Sequence, residues 1–89
     1  RLDIITPDKT FYSDRVDWVR VPGTKGSFAM LKGHLPIVST LDEGVIKVVK
    51  QGQARYFKIE GKSIVEQNEN HVTILTSSIE ETIPYYKGK

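Results

Sequence analysis

The feature that most constrains this chain is its punctuation. Short runs of β-branched and aromatic residues are cut by turn residues every ~8–12 positions. Leu2–Thr6 is stopped by Pro7-Asp8, and Arg15–Val21 by Pro22-Gly23. Ser27–Leu31 is joined to Pro36–Leu41 through Lys32-Gly33-His34. Asp42-Glu43-Gly44 leads into Val45–Lys50, and Gln51-Gly52-Gln53 reads as a tight hairpin loop into Ala54–Ile59. Asn68-Glu69-Asn70 separates Ser63–Glu66 from His71–Thr76. A crossover helix fits nowhere between these runs, which argues against a purely parallel sheet. Seven or eight short strands so spaced read as an all-β sandwich or barrel.

With 89 residues the chain supports one domain and one core, burying roughly 60–65% of the surface its unfolded form exposes. Alternation sets Val19 and Val21 on the opposite strand face from Trp18 and Arg20. The predicted core is Ile4, Val19, Val21, Phe28, Leu31, Val38, Leu41, Ile46, Val48, Phe57, Ile59, Val72 and Ile74. The pattern fades after Ser78, so residues 1–79 are expected to form the domain and 80–89 a polar C-terminal tail.

The chemistry that could be sought is mostly missing. The chain contains no cysteine, hence no disulfide framework and no thiolate metal site. A formal net charge of +2 with interspersed signs argues against nucleic-acid binding. No apolar run approaches the ~20 residues of a membrane span, so membrane contact is expected only through a partner. Gly61-Lys62-Ser63 imitates the end of a phosphate loop, but Tyr56 stands where the motif needs its first glycine. His34 has Ser39 and Asp42 near it in sequence, yet a relay needs all three to converge in space. His34 and His71 lack metal-ligand spacing, and Asp42/Glu43 and Glu80/Glu81 are neighbours that point apart on extended backbone. No catalytic, cofactor-binding or metal-binding residues are assigned. Trp18, Tyr56, Tyr85 and Tyr86 could stack against a sugar, so a carbohydrate-binding module is the alternative.

One stretch is longer and more apolar than a single strand requires. Gly26–Val38 is punctuated by glycine; a buried hairpin would account for it on composition, and the alternative is that Leu31, Leu35 and Pro36 form an exposed ridge flanked by Lys32 and His34. Within it, Val21-Pro22-Gly23-x-x-Gly26-x-Phe28-x-x-Leu31-x-Gly33-His34-x-Pro36 resembles the VPGxxGxFGVLPGHAPL signature of the F-type ATP synthase epsilon subunit family, called delta in mitochondria. Flanking pieces agree in order: Leu2–Pro7, Phe11–Val16, Leu41-x-x-Gly44-Val45-Ile46-Lys47-Val48, and Val65-Glu66 with Asn70–Leu75.

The resemblance implies a flattened antiparallel β-sandwich of about eight to ten short strands. It also implies a non-catalytic place in the central stalk, on the cytoplasmic face of the bacterial inner membrane. There the domain would join the gamma subunit to the polar loops of the c-ring and couple proton flow to ATP synthesis. Carried over by position, the c-ring contacts are Gly26, Ser27, Phe28, Leu31, Lys32, Gly33, His34 and Leu35. Thr6, Val38 and Val45 are the candidates for gamma. Lys32 stands where the family usually has proline, and Ser27 where it often has glutamate, so charge pairing with the ring must differ. The family's two C-terminal helices, which inhibit ATP hydrolysis and in some members bind ATP, have no counterpart in these residues, and neither property carries over.

Overall fold

The computed structural model describes residues 1–24, 26–30 and 34–83, with the backbone alone at 27–30, 34 and 35. The described residues form ten strands: β1 (Leu2–Ile5), β2 (Thr10–Asp14), β3 (Trp18–Gly23), β4 (Gly26–Met30), β5 (His34–Leu41), β6 (Gly44–Lys50), β7 (Gln53–Ile59), β8 (Ser63–Glu69), β9 (His71–Leu75) and β10 (Ile79–Thr82). They join in one ladder, β10-β7-β6-β3-β5-β8-β9-β1-β2, with β4 paired to β3. Between β3 and β5 the ladder narrows to the single pair Gly23↔Leu41. There the sheet folds over into two layers.

Alternation turns one face of each layer inward. Val19, Val21, Ile46, Val48, Phe57 and Ile59 come from the β3-β6-β7 side, and Leu2, Ile4, Leu41, Val65, Val72 and Ile74 from the other. All twelve are buried together. Leu2 and Val65 thus join the predicted core. Val38 leaves it: counting by twos from buried Leu41 turns Val38 outward, and it is 73% exposed. The side chains of Phe28 and Leu31, also expected in the core, lie outside the described residues.

The two ends of the ladder meet along a seam. Phe57 of β7 receives Phe11 edge-on at 5.7 Å and Tyr12 at 5.5 Å, both from β2. The Arg55 guanidinium lies 5.3 Å from the Tyr12 ring and 5.2 Å from that of Phe57. Arg55 is held there by two hydrogen bonds to Glu81 of β10, at 2.9 and 3.0 Å. Lys50 Nζ donates to Asp14 Oδ2 at 2.6 Å, clamping β6 to β2. Glu80-Glu81-Thr82, read from sequence as the start of a tail, is therefore strand paired with β7. Its polar composition suits an edge position whose outer side meets water. Residues 84–89 lie outside the description.

Among the described residues every pairing is antiparallel except one, the parallel pair β1–β9. Parallel neighbours need a long connection, and strands β2 to β8 supply it. The hairpin at Gln51-Gly52 forms as expected, with φ of 52° and 78° matching a two-residue turn of left-handed residues. Gly44 has a different reason to be glycine. A Cβ there would stand 2.9 Å from Pro22 Cβ, so the β6 entry can press against β3 only without a side chain.

Candidate functional site

Across the outward face of the second layer, Ile5 (β1), Leu75 (β9) and Ile64 (β8) are consecutive partners in register. With Thr6, Pro7 and Lys62 they line an open, mainly apolar groove of about 350 Å³. Ile64 and Leu75 keep 42% and 45% of their surface in water. Val38 lies one row further on, opposite Glu66 of β8, so the same face carries four exposed or half-exposed aliphatic residues. The floor is fixed from beneath, where buried Ser63 Oγ donates to Thr76 Oγ1 at 2.8 Å. The rim is fixed by Thr6, whose N–H and hydroxyl both donate to Lys9 O, at 2.9 and 3.1 Å.

The other end of this face is polar. Ser13 Oγ donates to Asp3 Oδ1 at 2.5 Å, and His71 Nε2–H to Asp3 Oδ2 at 2.6 Å. Arg1 adds its guanidinium to Ser13 at 2.6 Å. Hydrogen bonds from Ser13, then from His71, and the charge of Arg1 hold the Asp3 carboxyl below its ordinary value against the opposing effect of burial. Serine, histidine and carboxylate thus converge, though not in the combination read from sequence. The order is wrong for a nucleophile relay, which needs the imidazole between the other two. Here the carboxylate is in the middle, and the cluster ties β1 to β2 and β9.

The expected ring-contact residues fall at two places. Gly26, Ser27 and Phe28 open β4, with Gly26 opposite Gly23 at φ 119°, a conformation that favours glycine. His34 and Leu35 open β5, with His34 opposite Glu69. Leu31, Lys32 and Gly33 lie outside the described residues. Gly26 pairs with Gly23, which pairs with Leu41 at the far end of β5 from His34, so these two groups occupy opposite ends of the sandwich, roughly 20 Å of strand apart. Of the residues expected to meet gamma, Thr6 and Val38 share the grooved face. Val45 is half-buried on the outward side of the other layer.

That other outward face brings Trp18 and Tyr56 near each other through Lys47. Its Nζ lies 5.4 Å from the Trp18 ring and 5.8 Å from the Tyr56 ring. The Arg20 guanidinium is 5.7 Å from Trp18 as well. Cations already occupy the rings that a sugar would need. Tyr85 and Tyr86 lie outside the description.

Residues 1–82 match the family model described as "ATP synthase, Delta/Epsilon chain, beta-sandwich domain". The chain belongs to this family. Among similar proteins are the ATP synthase epsilon chains of Lawsonia intracellularis, 38% identical over 80 residues, and Desulforudis audaxviator, 34% identical over 80 residues. Each alignment covers 90% of this chain but only 59% and 58% of those relatives. The chain thus spans less than two thirds of their length. The fold is also that of a chain in the Euglena gracilis mitochondrial ATP synthase, in an assembly that includes the c-ring. The TM-score is 0.85 at 21% identity, covering 97% of this chain and 56% of that one. A chain of the Tetrahymena thermophila central stalk and c-ring gives 0.75 at 14% identity, over 89% and 63%. For a delta/epsilon sandwich the family's motif residues gain physical reasons. Pro22 and Gly44 make the close contact between β3 and β6, and Pro22 O accepts from Asp42 N–H at 2.8 Å. The family match favours the ATP synthase reading over a carbohydrate-binding module.

Proposed function

We propose that this domain is a non-catalytic central-stalk subunit that joins gamma to the c-ring at the cytoplasmic face of the bacterial inner membrane. Its role is mechanical. A sandwich with a dense core, a sealed seam and one grooved face carries torque between two partners and couples proton flow to ATP synthesis. The observation that supports this most is the groove of Ile5, Ile64 and Leu75, which adjoins Thr6 and shares its face with Val38. Aliphatic side chains gathered on one outward face and framed by polar groups are the kind of surface a partner protein covers, and gamma is its proposed occupant.

The ring contact belongs at one end of the sandwich, since a flat ring of loops cannot reach both. The candidates are Gly26–Phe28 at the start of β4 and residues Leu31–Leu35, the last two of which open β5. Pull-down from solubilised membranes tests the assignment as a whole: gamma and the c-ring must accompany the chain. Proton-driven ATP synthesis in membrane vesicles tests the ends. Either Ser27→Lys or the pair Gly33→Val, His34→Glu uncouples transport from synthesis while leaving the fold intact. Full coupling in both variants would contradict the ring contact.

A further inference from the structure

Arg20 on β3 and Lys47 on β6 stand directly opposite each other in antiparallel register, both outside the core. Like charges so placed repel one another. Lys50, Arg55 and Lys58 are each paired with an acid, Asp14, Glu81 and Glu60. Arg20 and Lys47 form no ion pair with a carboxylate among the described residues. Aromatic faces hold them instead. Trp18 lies under both cations and Tyr56 under Lys47, at the distances given above. A ring face attracts a cation but leaves its N–H donors free for an anion.

We propose that this face docks an acidic helical segment of a partner protein. A sheet face offers rows of side chains rather than a cavity, which suits a segment better than a small ion. Cross-strand partners have Cβ atoms ~4.5–5.5 Å apart, and helix positions i and i+4 are ~5–6 Å apart. Two carboxylates one helical turn apart can therefore each meet one cation, while apolar neighbours rest on Trp18, Val45 and Val49. Glu80 lies in the adjacent row, beyond Lys58, and disfavours the continuous phosphate layer of a membrane. The site is on the opposite layer from the groove proposed for gamma and does not depend on that assignment.

Trp18 is the chain's single tryptophan and touches both cations, so its fluorescence reports on the site directly. The probes are an amphipathic helical peptide with two glutamates at i and i+4, the same peptide with glutamines, and vesicles of phosphatidylglycerol. The glutamate peptide is expected to give a saturable change that weakens with salt. Arg20→Gln with Lys47→Gln should weaken its binding by about tenfold. Arg20→Glu with Lys47→Glu should transfer binding to a lysine version of the peptide, a gain that misfolding cannot produce. Equal binding of the glutamine peptide, a response to vesicles alone, or no saturable response would overturn the proposal.

Discussion

Replacing Ile64 and Leu75 together with serine removes most of the apolar lining of the groove on the outer face of β8 and β9. Fully burying a side chain of this size contributes ~1.5–3 kcal/mol. Ile64 and Leu75 retain 42% and 45% exposure, so a partner that covers them gains about 1 kcal/mol from each. The double variant should therefore lose about 2 kcal/mol of binding, a rise of about 30-fold in Kd. The fraction already buried supports the fold, so the variant should also melt about 10 °C lower. Calorimetric titration against purified gamma, well below that melting temperature, separates the two effects, and circular dichroism confirms that the variant is folded. Val45→Ser, on the other layer, should leave the Kd unchanged. A folded double variant that binds gamma with undiminished affinity would refute the assignment of this face.

Other outcomes follow from the interior and the seam. Gly44→Ala places a methyl 2.9 Å from Pro22 Cβ and 3.2 Å from its Cγ; this overpacking should cost about 1–3 kcal/mol, read as a lower urea midpoint. Phe57→Ala empties the centre of the seam and should cost about 3–5 kcal/mol, enough to leave the domain marginal in a thermal melt. Three carboxyls sit below their ordinary values of 3.8, 3.8 and 4.5, mainly through hydrogen bonds they accept: Asp3 from Ser13, Asp14 from Lys50, and Glu81 from Arg55. The unfolded chain therefore binds more protons than the folded one in that range, and stability rises with pH there. Their contribution is complete above the unfolded values and is lost as pH falls through the lower folded ones. Asp3→Asn with Glu81→Gln should flatten the acid side of a melting-temperature profile, and an unchanged acid slope would contradict this account.

Much of the fold was legible because its strands alternate cleanly. Val19 and Val21, Ile46 and Val48, and Val72 and Ile74 each mark an inward face by twos. Strand β8 reverses the rule: polar Ser63 and Gln67 turn inward with Val65, while Ile64 faces water. No reading of that strand alone finds the groove. It exists because Ile5, Leu75 and Ile64, far apart in sequence, are brought into one row by register. Strand β2 was hidden in the reading of runs because a bulge between Ile4 and Ile5 breaks its alternation, leaving Phe11 and Tyr12 both half-buried. Strand β10 was hidden by its two glutamates, one of which is the anchor for Arg55. Val38 was available to counting. Its outward position follows from Leu41, and it becomes informative only beside the other aliphatic residues that register brings onto the same face.

The central claim is that gamma sits on the grooved layer. Cysteine at Thr6, Val38 or Val45, cross-linked within the membrane-bound complex, tests it most directly. Thr6→Cys and Val38→Cys should each yield an adduct with gamma, and Val45→Cys should not. Adducts with gamma from Val45→Cys alone, or from none of the three, would contradict it.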